Sequence, residues 1–113
     1  MIELRQQLKI IEQQLRHMGQ WQSIAPLPAA LASQQPFCLD TLTPYQWLQW
    51  VLLPRLSALL DAKQLPPKAF AIAPYFEVAL APLTSSDQQL IEQLQQLDEG
   101  IAQIHRLSAG SAT

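Results

Sequence analysis

The stretch Thr43-Pro44-Tyr45-Gln46-Trp47-Leu48-Gln49-Trp50-Val51-Leu52-Leu53-Pro54-Arg55 decides the fold class. Its start carries every mark of a helix N-terminus. Thr43 fits the N-cap, Pro44 the first helical position where a missing N–H costs nothing, and Gln46 the reciprocal partner of a capping box. Leu42 and Trp47 take the two places of a hydrophobic staple, which fixes how the chain enters the helix. From Trp47 to Leu53 only Gln49 is polar, so this helix is apolar nearly all round and belongs at the centre of the fold. Pro54 cannot donate to the carbonyl of Trp50 and crowds it, at a cost of about 3 kcal/mol in a regular helix, so a kink or break is expected between Trp50 and Pro54.

Outward from this segment, both ends of the chain read as amphipathic helices. Leu4, Leu8, Ile11, Leu15 and Met18 alternate spacings of four and three, and Gly19 follows as a stop. Leu90, Leu94, Leu97, Ile101 and Ile104 repeat the pattern, with Ser85 and Gln88 as a candidate capping box. The two stripes can pack on each other, on the middle of the chain or on a second copy; an intramolecular bundle seam, hence a monomer, is the expectation favoured over a homodimer.

The connections are irregular. Residues 22–35 carry Pro26, Pro28 and several alanines without a period. After Pro54 the chain continues through Leu56, Leu59 and Leu60 and stops at a loop from Lys63 to Lys68 containing Pro66-Pro67. A short helix is expected from Pro74, with Glu77 in its first turn complementing the helix dipole, and it ends before Pro82. Repeated strand signals and Gly-rich phosphate loops are absent from the sequence. An all-α, single-domain bundle of about four main helices follows, the central one kinked or broken at Pro54. The domain is expected over residues 1–107, with 108–113 a disordered, small and polar tail.

Composition narrows the function classes. Of 113 residues, 49% are hydrophobic and only 14% charged, which supports a folded core and leaves a surface poor in charge. Seventeen glutamines supply the missing polarity while keeping good helix propensity. A net charge of −2 and seven scattered basic residues give no general attraction to nucleic acid or to an anionic membrane, so neither is an expected partner. The first residues mix charge and amide rather than forming an apolar export signal, and the longest apolar stretch, Phe70 to Leu83, is too short to span a bilayer. A cytoplasmic protein is expected.

Nothing in the sequence assembles a catalytic or metal centre. His17 and His105 lie near the C-terminal ends of the terminal helices, where the dipole favours imidazolium. Neither has a carboxylate or cysteine at ligand spacing, and no cofactor is implied. Cys38, the single cysteine, lies between Phe37 and Leu39 and reads as a small apolar filler rather than a nucleophile. The charged residues of the apolar middle are Asp40, Arg55, Asp61, Lys63, Lys68 and Glu77. Should Asp40, Arg55 and Glu77 converge beside Trp47, Trp50 and Tyr75, they form either a recognition pocket or a structural ion-pair set that anchors two loops.

The ordered series Gln35-Pro36-Phe37, Asp40-Thr41, Trp47-Leu48-Gln49-Trp50-Val51, Pro54-Arg55 and Pro74-Tyr75 with Glu77 resembles the bacterial YqcC-like domain family over essentially the whole domain. One departure is Tyr45-Gln46, which stands where the family usually has a small or acidic pair. The resemblance implies a compact all-α bundle with no firmly assigned activity, encoded in gammaproteobacteria often beside a tRNA pseudouridine synthase. The expected function is therefore a non-enzymatic protein-interaction module, with a tRNA pseudouridine synthase as the partner the resemblance implies. Its candidate surface comprises Pro36, Phe37, Asp40, Trp47, Trp50, Arg55, Pro74, Tyr75 and Glu77. The competing expectation is a small-molecule or enzymatic pocket near Asp40, Arg55 and Glu77. Direct RNA binding requires Arg55, Lys63 and Lys68 to cluster beside exposed aromatics.

Overall fold

The structure, a computed structural model, describes residues 4–64 and 71–111. All of its regular structure is helical: α1 (Leu4–His17), α2 (Pro28–Leu31), a 3₁₀ turn (Pro36–Cys38), α3 (Pro44–Trp47), a π turn (Leu48–Leu52), α4 (Leu53–Asp61), α5 (Ala73–Ala79) and α6 (Ser85–Ser111). Among the described residues there is no strand, and four helices have seven residues or more. The Pro66-Pro67 stop and Lys68 lie outside the described residues.

The two terminal stripes meet each other. Leu4, Leu8, Ile11 and Leu15 of α1 are buried against Leu90, Ile91, Leu94, Leu97 and Ile101 of α6, in one core that also takes Leu48, Leu52, Leu56, Ile72 and Phe76. The helices run antiparallel. Gln7 donates to the carbonyl of Gln96 (3.2 Å) and Gln14 to that of Ser86 (3.2 Å), so the amide side chains mark the register along the seam. Both glutamines are buried, and they satisfy α6 carbonyls without placing a charge in the interface. This packing accounts for both apolar faces within one chain.

Thr43 caps the central helix as expected. Its side chain accepts from the Gln46 N–H (3.2 Å) while Gln46 Oε1 accepts from the Thr43 N–H (2.9 Å). The interruption at Pro54 takes the form of a π turn. The N–H of Leu53 reaches back five residues to the carbonyl of Leu48, and the backbone stays helical from Pro44 to Asp61 instead of breaking. A wider turn just before the proline is a known way for a helix to absorb the missing donor.

The starts of the last two helices differ from expectation in an instructive way. The capping box of α6 is formed by Thr84 and Asp87, one residue before the Ser85/Gln88 pair. The Thr84 N–H donates to Asp87 Oδ2 (3.1 Å) and the Asp87 N–H to Thr84 Oγ1 (3.0 Å). A carboxylate serves this place better than an amide because it also complements the helix dipole. At α5, Glu77 lies beyond the first turn, and the acidic partner comes from α6 instead. Asp98 accepts from the Ile72 N–H (2.9 Å) and the Ala73 N–H (2.9 Å), capping α5 from outside its own segment.

Helix α6 continues to Ser111, past the expected limit of the folded region at residue 107, and Ala112 and Thr113 lie outside the described residues. No helix among the described residues is long and apolar enough to cross a membrane.

Candidate interaction surfaces around the central helix

The π turn has a consequence for the two tryptophans of the central segment. In an α-helix, residues three apart lie on one face. A turn closed by i→i+5 bonds rotates each residue less, so a spacing of three no longer returns to the same side. Trp47 and Trp50 accordingly serve two different surfaces.

Trp47 joins an aromatic cluster. Its ring meets Phe37 edge-on, with centroids 4.8 Å apart, and Phe76 at 6.4 Å. Phe37 stacks nearly parallel on Tyr75 with centroids 3.9 Å apart. Three of the expected surface residues, Phe37, Trp47 and Tyr75, are thus brought together. They are half-buried and continuous with the core through Phe76. The backbone conformation that places Phe37 is unusual. Phe37 and Cys38 both have positive φ, 59° and 49°, a left-handed conformation that costs an ordinary residue roughly 1–2 kcal/mol. The stack and the burial of Cys38 offset that cost.

Trp50 meets a different set of partners. Its indole Nε1 donates to Gln22 Oε1 (3.2 Å) beside a groove between α1 and α4 of about 640 Å³. Gln49, buried at 4% exposure, holds the Gln22 backbone from both sides, accepting from its N–H (2.8 Å) and donating to its carbonyl (2.6 Å). The one polar residue of the apolar run is therefore a clamp for the chain leaving α1. Trp21 stands on the same groove with the Arg16 guanidinium 4.6 Å above its ring. Trp21 and Gln22 had no periodicity or motif to mark them. Only the lone polar Gln49 within an apolar helix hinted that a loop had to be met there.

Among the described residues no ion pair joins Asp40, Arg55 and Glu77 to one another. Asp40 accepts from the Ser33 hydroxyl within its own loop, Glu77 accepts from Gln95 Nε2 (3.3 Å), and Arg55 is exposed without an ion pair among the described residues. Neither Asp40 nor Arg55 lines the groove at Trp50, and the smaller hollow at Glu77 and Pro74, of about 340 Å³, contains neither. Pro36 opens the 3₁₀ turn that presents Phe37. The clustering of Arg55, Lys63 and Lys68 lies outside the described residues through Lys68.

Tyr45 ties the central helix to α6 by donating its hydroxyl to Asp87 Oδ1. Burial raises the phenol well above its ordinary range, and the hydrogen bond to Asp87 and its negative charge add to the effect. Burial also works to raise Asp87, but the hydrogen bonds from Tyr45 and from the Thr84 N–H and hydroxyl outweigh it and hold the carboxyl below the usual range. At Asp98 the balance is reversed: burial raises the carboxyl despite the two N–H donors. Among the described residues no group of three His, Cys, Asp or Glu side chains is placed to hold a metal ion.

The family model described as "DUF446: tRNA pseudouridine synthase C" matches residues 3–100. The chain belongs to the YqcC-like family. It is 45% identical over 95 residues to a protein of Escherichia coli K12 described as uncharacterized protein YqcC, covering 84% of this chain and 87% of that one. An uncharacterized protein of Haemophilus influenzae is 35% identical over 97 residues, covering 86% and 91%. The solution NMR structure of Escherichia coli YqcC superposes with a TM-score of 0.79 at 44% identity, covering 88% of this chain and 85% of that chain, so the all-α YqcC-like fold is shared. A third YqcC-like match is of a different kind. A Pectobacterium carotovorum protein described as tRNA pseudouridine synthase C is 46% identical over 68 residues, which are 60% of this chain but only 18% of that protein.

Proposed function

We propose that this YqcC-like domain is a protein-interaction module that works with a tRNA pseudouridine synthase. The observation that carries the reading is the Pectobacterium match: a chain named for the synthase contains a segment 46% identical to this domain, and most of that chain lies outside the similarity. Two domains joined in one polypeptide are held at high effective concentration, which is the condition a separate pair must reach by binding. The family description carries the same name.

The physical character of the domain agrees. Ile24 and Leu27 are exposed at 80% and 77%, and Val78 on α5 at 80%, while the central segment carries the half-buried rings of Tyr45, Trp47 and Trp50. Aromatic anchors on a rigid scaffold, set among exposed aliphatic side chains, are what a protein partner uses.

Co-expression with the synthase of the same cell, one chain tagged, tests the reading. The two chains are expected to co-purify in fixed stoichiometry through size exclusion. A synthase that elutes alone at micromolar concentration of both would contradict it.

A further inference from the structure

The groove between α1 and α4 has a length, a floor and a charge that together describe an occupant. Ionic contacts flank it: Arg5 Nη2 meets Asp61 Oδ1 at 2.7 Å, joining the first turn of α1 to the last of α4, and Arg16, which lies over the lining residue Trp21, pairs with Glu12 at 3.0 Å. On α1 the lining runs from Arg5 to Glu12, seven residues or about 10 Å at ~1.5 Å per residue. An extended chain rising about 3.3 Å per residue covers that length with roughly three residues.

Much of the lining is apolar: Leu8, Leu53 and Pro54 line the groove together with Trp21 and Trp50. The loop wall is tied to the helix, because Gln49 clamps Gln22 and Gln22 in turn accepts from the Trp50 indole. A partner side chain entering beside Trp50 therefore meets a preformed surface, which lowers the ordering cost of binding.

The rim is basic in a protein of net charge −2. Arg5 and Lys9 line the groove, and Arg16, at the helical spacing of seven from Lys9, lies over the lining residue Trp21. Asp61 engages Arg5 and Glu12 engages Arg16, whereas Lys9, exposed midway along the groove, makes no ion pair among the described residues. The three cations against two carboxylates leave a single net positive charge at the middle of an apolar slot. That is too little to bind a phosphate backbone, whose affinity grows with the number of phosphates neutralised, and the two carboxylates would repel one. It suits one or two carboxylates next to an apolar anchor.

The geometry points to a docking groove for an acidic, extended peptide segment whose central three residues or so lie in the groove, with an apolar or aromatic side chain packed against the lining tryptophans and a carboxylate facing Lys9. This rests on the proposed pairing with the synthase, on whose chain such a segment is expected. The groove shares no lining residue with the Phe37–Trp47–Tyr75 cluster.

The probe is an N-acetylated, C-amidated hexapeptide with adjacent leucine and phenylalanine flanked by pairs of aspartates, titrated into the full chain and followed by amide and indole chemical shifts. Shifts are expected at Trp21, Trp50 and the α1 residues from Arg5 to Glu12, with the Phe37 cluster unmoved. Lys9→Glu is expected to weaken binding by about tenfold, and an uncharged analogue with asparagine for aspartate to bind as weakly, because the attraction is a charge at close range. Lys9 is exposed, so its replacement leaves the fold intact, and the Trp50 indole shift reports that directly. No shift at millimolar peptide, shifts confined to the Phe37 cluster, or equal binding by Lys9→Glu would overturn the assignment. So would tighter binding of a uridine hexanucleotide, or concentration-dependent shifts of the same residues without peptide, which would place RNA or a second copy in the groove. Co-purification of the synthase that persists undiminished with Lys9→Glu would leave the interaction-module reading standing and reject this groove alone.

Discussion

The side-chain amide of Gln49 pairs with the backbone of Gln22 as a second peptide group would, accepting at 2.8 Å and donating at 2.6 Å. Gln49 is buried in the central helix, and Gln22 belongs to the chain that leaves α1, so this one pair fixes the loop wall of the α1/α4 groove to its helical wall. Replacing Gln49 with leucine removes both bonds at a part-buried site. The expected loss is about 1–3 kcal/mol, the desolvation cost of backbone groups left without partners. Urea denaturation checks the loss, and hydrogen exchange at the Gln22 amide, fast in the variant and slow in the parent, checks its cause.

Phe37 offers a test in which the smaller side chain is the better one. Both Phe37→Ala and Phe37→Gly lose the stack on Tyr75, but Gly adopts a φ of 59° freely while Ala does not. The glycine variant is expected to be more stable than the alanine variant by about 1 kcal/mol. Equal stabilities would mean that the left-handed turn relaxes when the ring is removed.

The Tyr45–Asp87 bond gives stability a pH dependence of definite sign. Asp87 is held below its unfolded value, so its contribution is complete above about pH 4–5 and is lost as pH falls through the depressed folded value. Asp98, raised by burial, contributes in the opposite sense: its share is present below the unfolded value and lost as pH rises through the folded one. Asp87→Asn is therefore expected to flatten the acid limb of the stability curve, while Tyr45→Phe costs about 1.5–3 kcal/mol at neutral pH, the range for a hydrogen bond to a charged partner. Thermal midpoints from pH 2.5 to 7 measure both.

The apolar stripes of α1 and α6 pack on each other within one chain. Leu94 is fully buried among α1 residues, and Leu94→Ala is expected to destabilise by about 2–5 kcal/mol. Sedimentation should show a monomer at micromolar concentration for both proteins. A dimer that weakens with Leu94→Ala would place the stripes between copies instead.

The helices were legible in the sequence wherever a local rule governs them. The spacing of Leu4 to Met18 and of Leu90 to Ile104, and the cap at Thr43 and Gln46, depend on residues within one turn or one face, and they hold in the structure. What escaped depends on partners far apart in sequence. Asp98 caps a helix that starts 25 residues earlier, so no spacing rule within α5 could reveal it, and Glu77 was the only local candidate. Asp87 displaced Gln88 because Tyr45, 42 residues away, stabilises it there. Trp47 and Trp50 looked like one anchor because a regular helix would put them on one face, and the π turn ahead of Pro54 separates them. Asp40 and Glu77 found neutral partners close by, which left no reason for the charged residues to meet.

Calorimetric titration of the purified synthase of the same cell into this chain decides whether the domain is an interaction module. Saturable one-to-one binding is expected, with a negative heat-capacity change, the sign of apolar surface removed from water. No heat and no change in sedimentation at tens of micromolar of each protein, about the range expected of a weak specific pair, would contradict it.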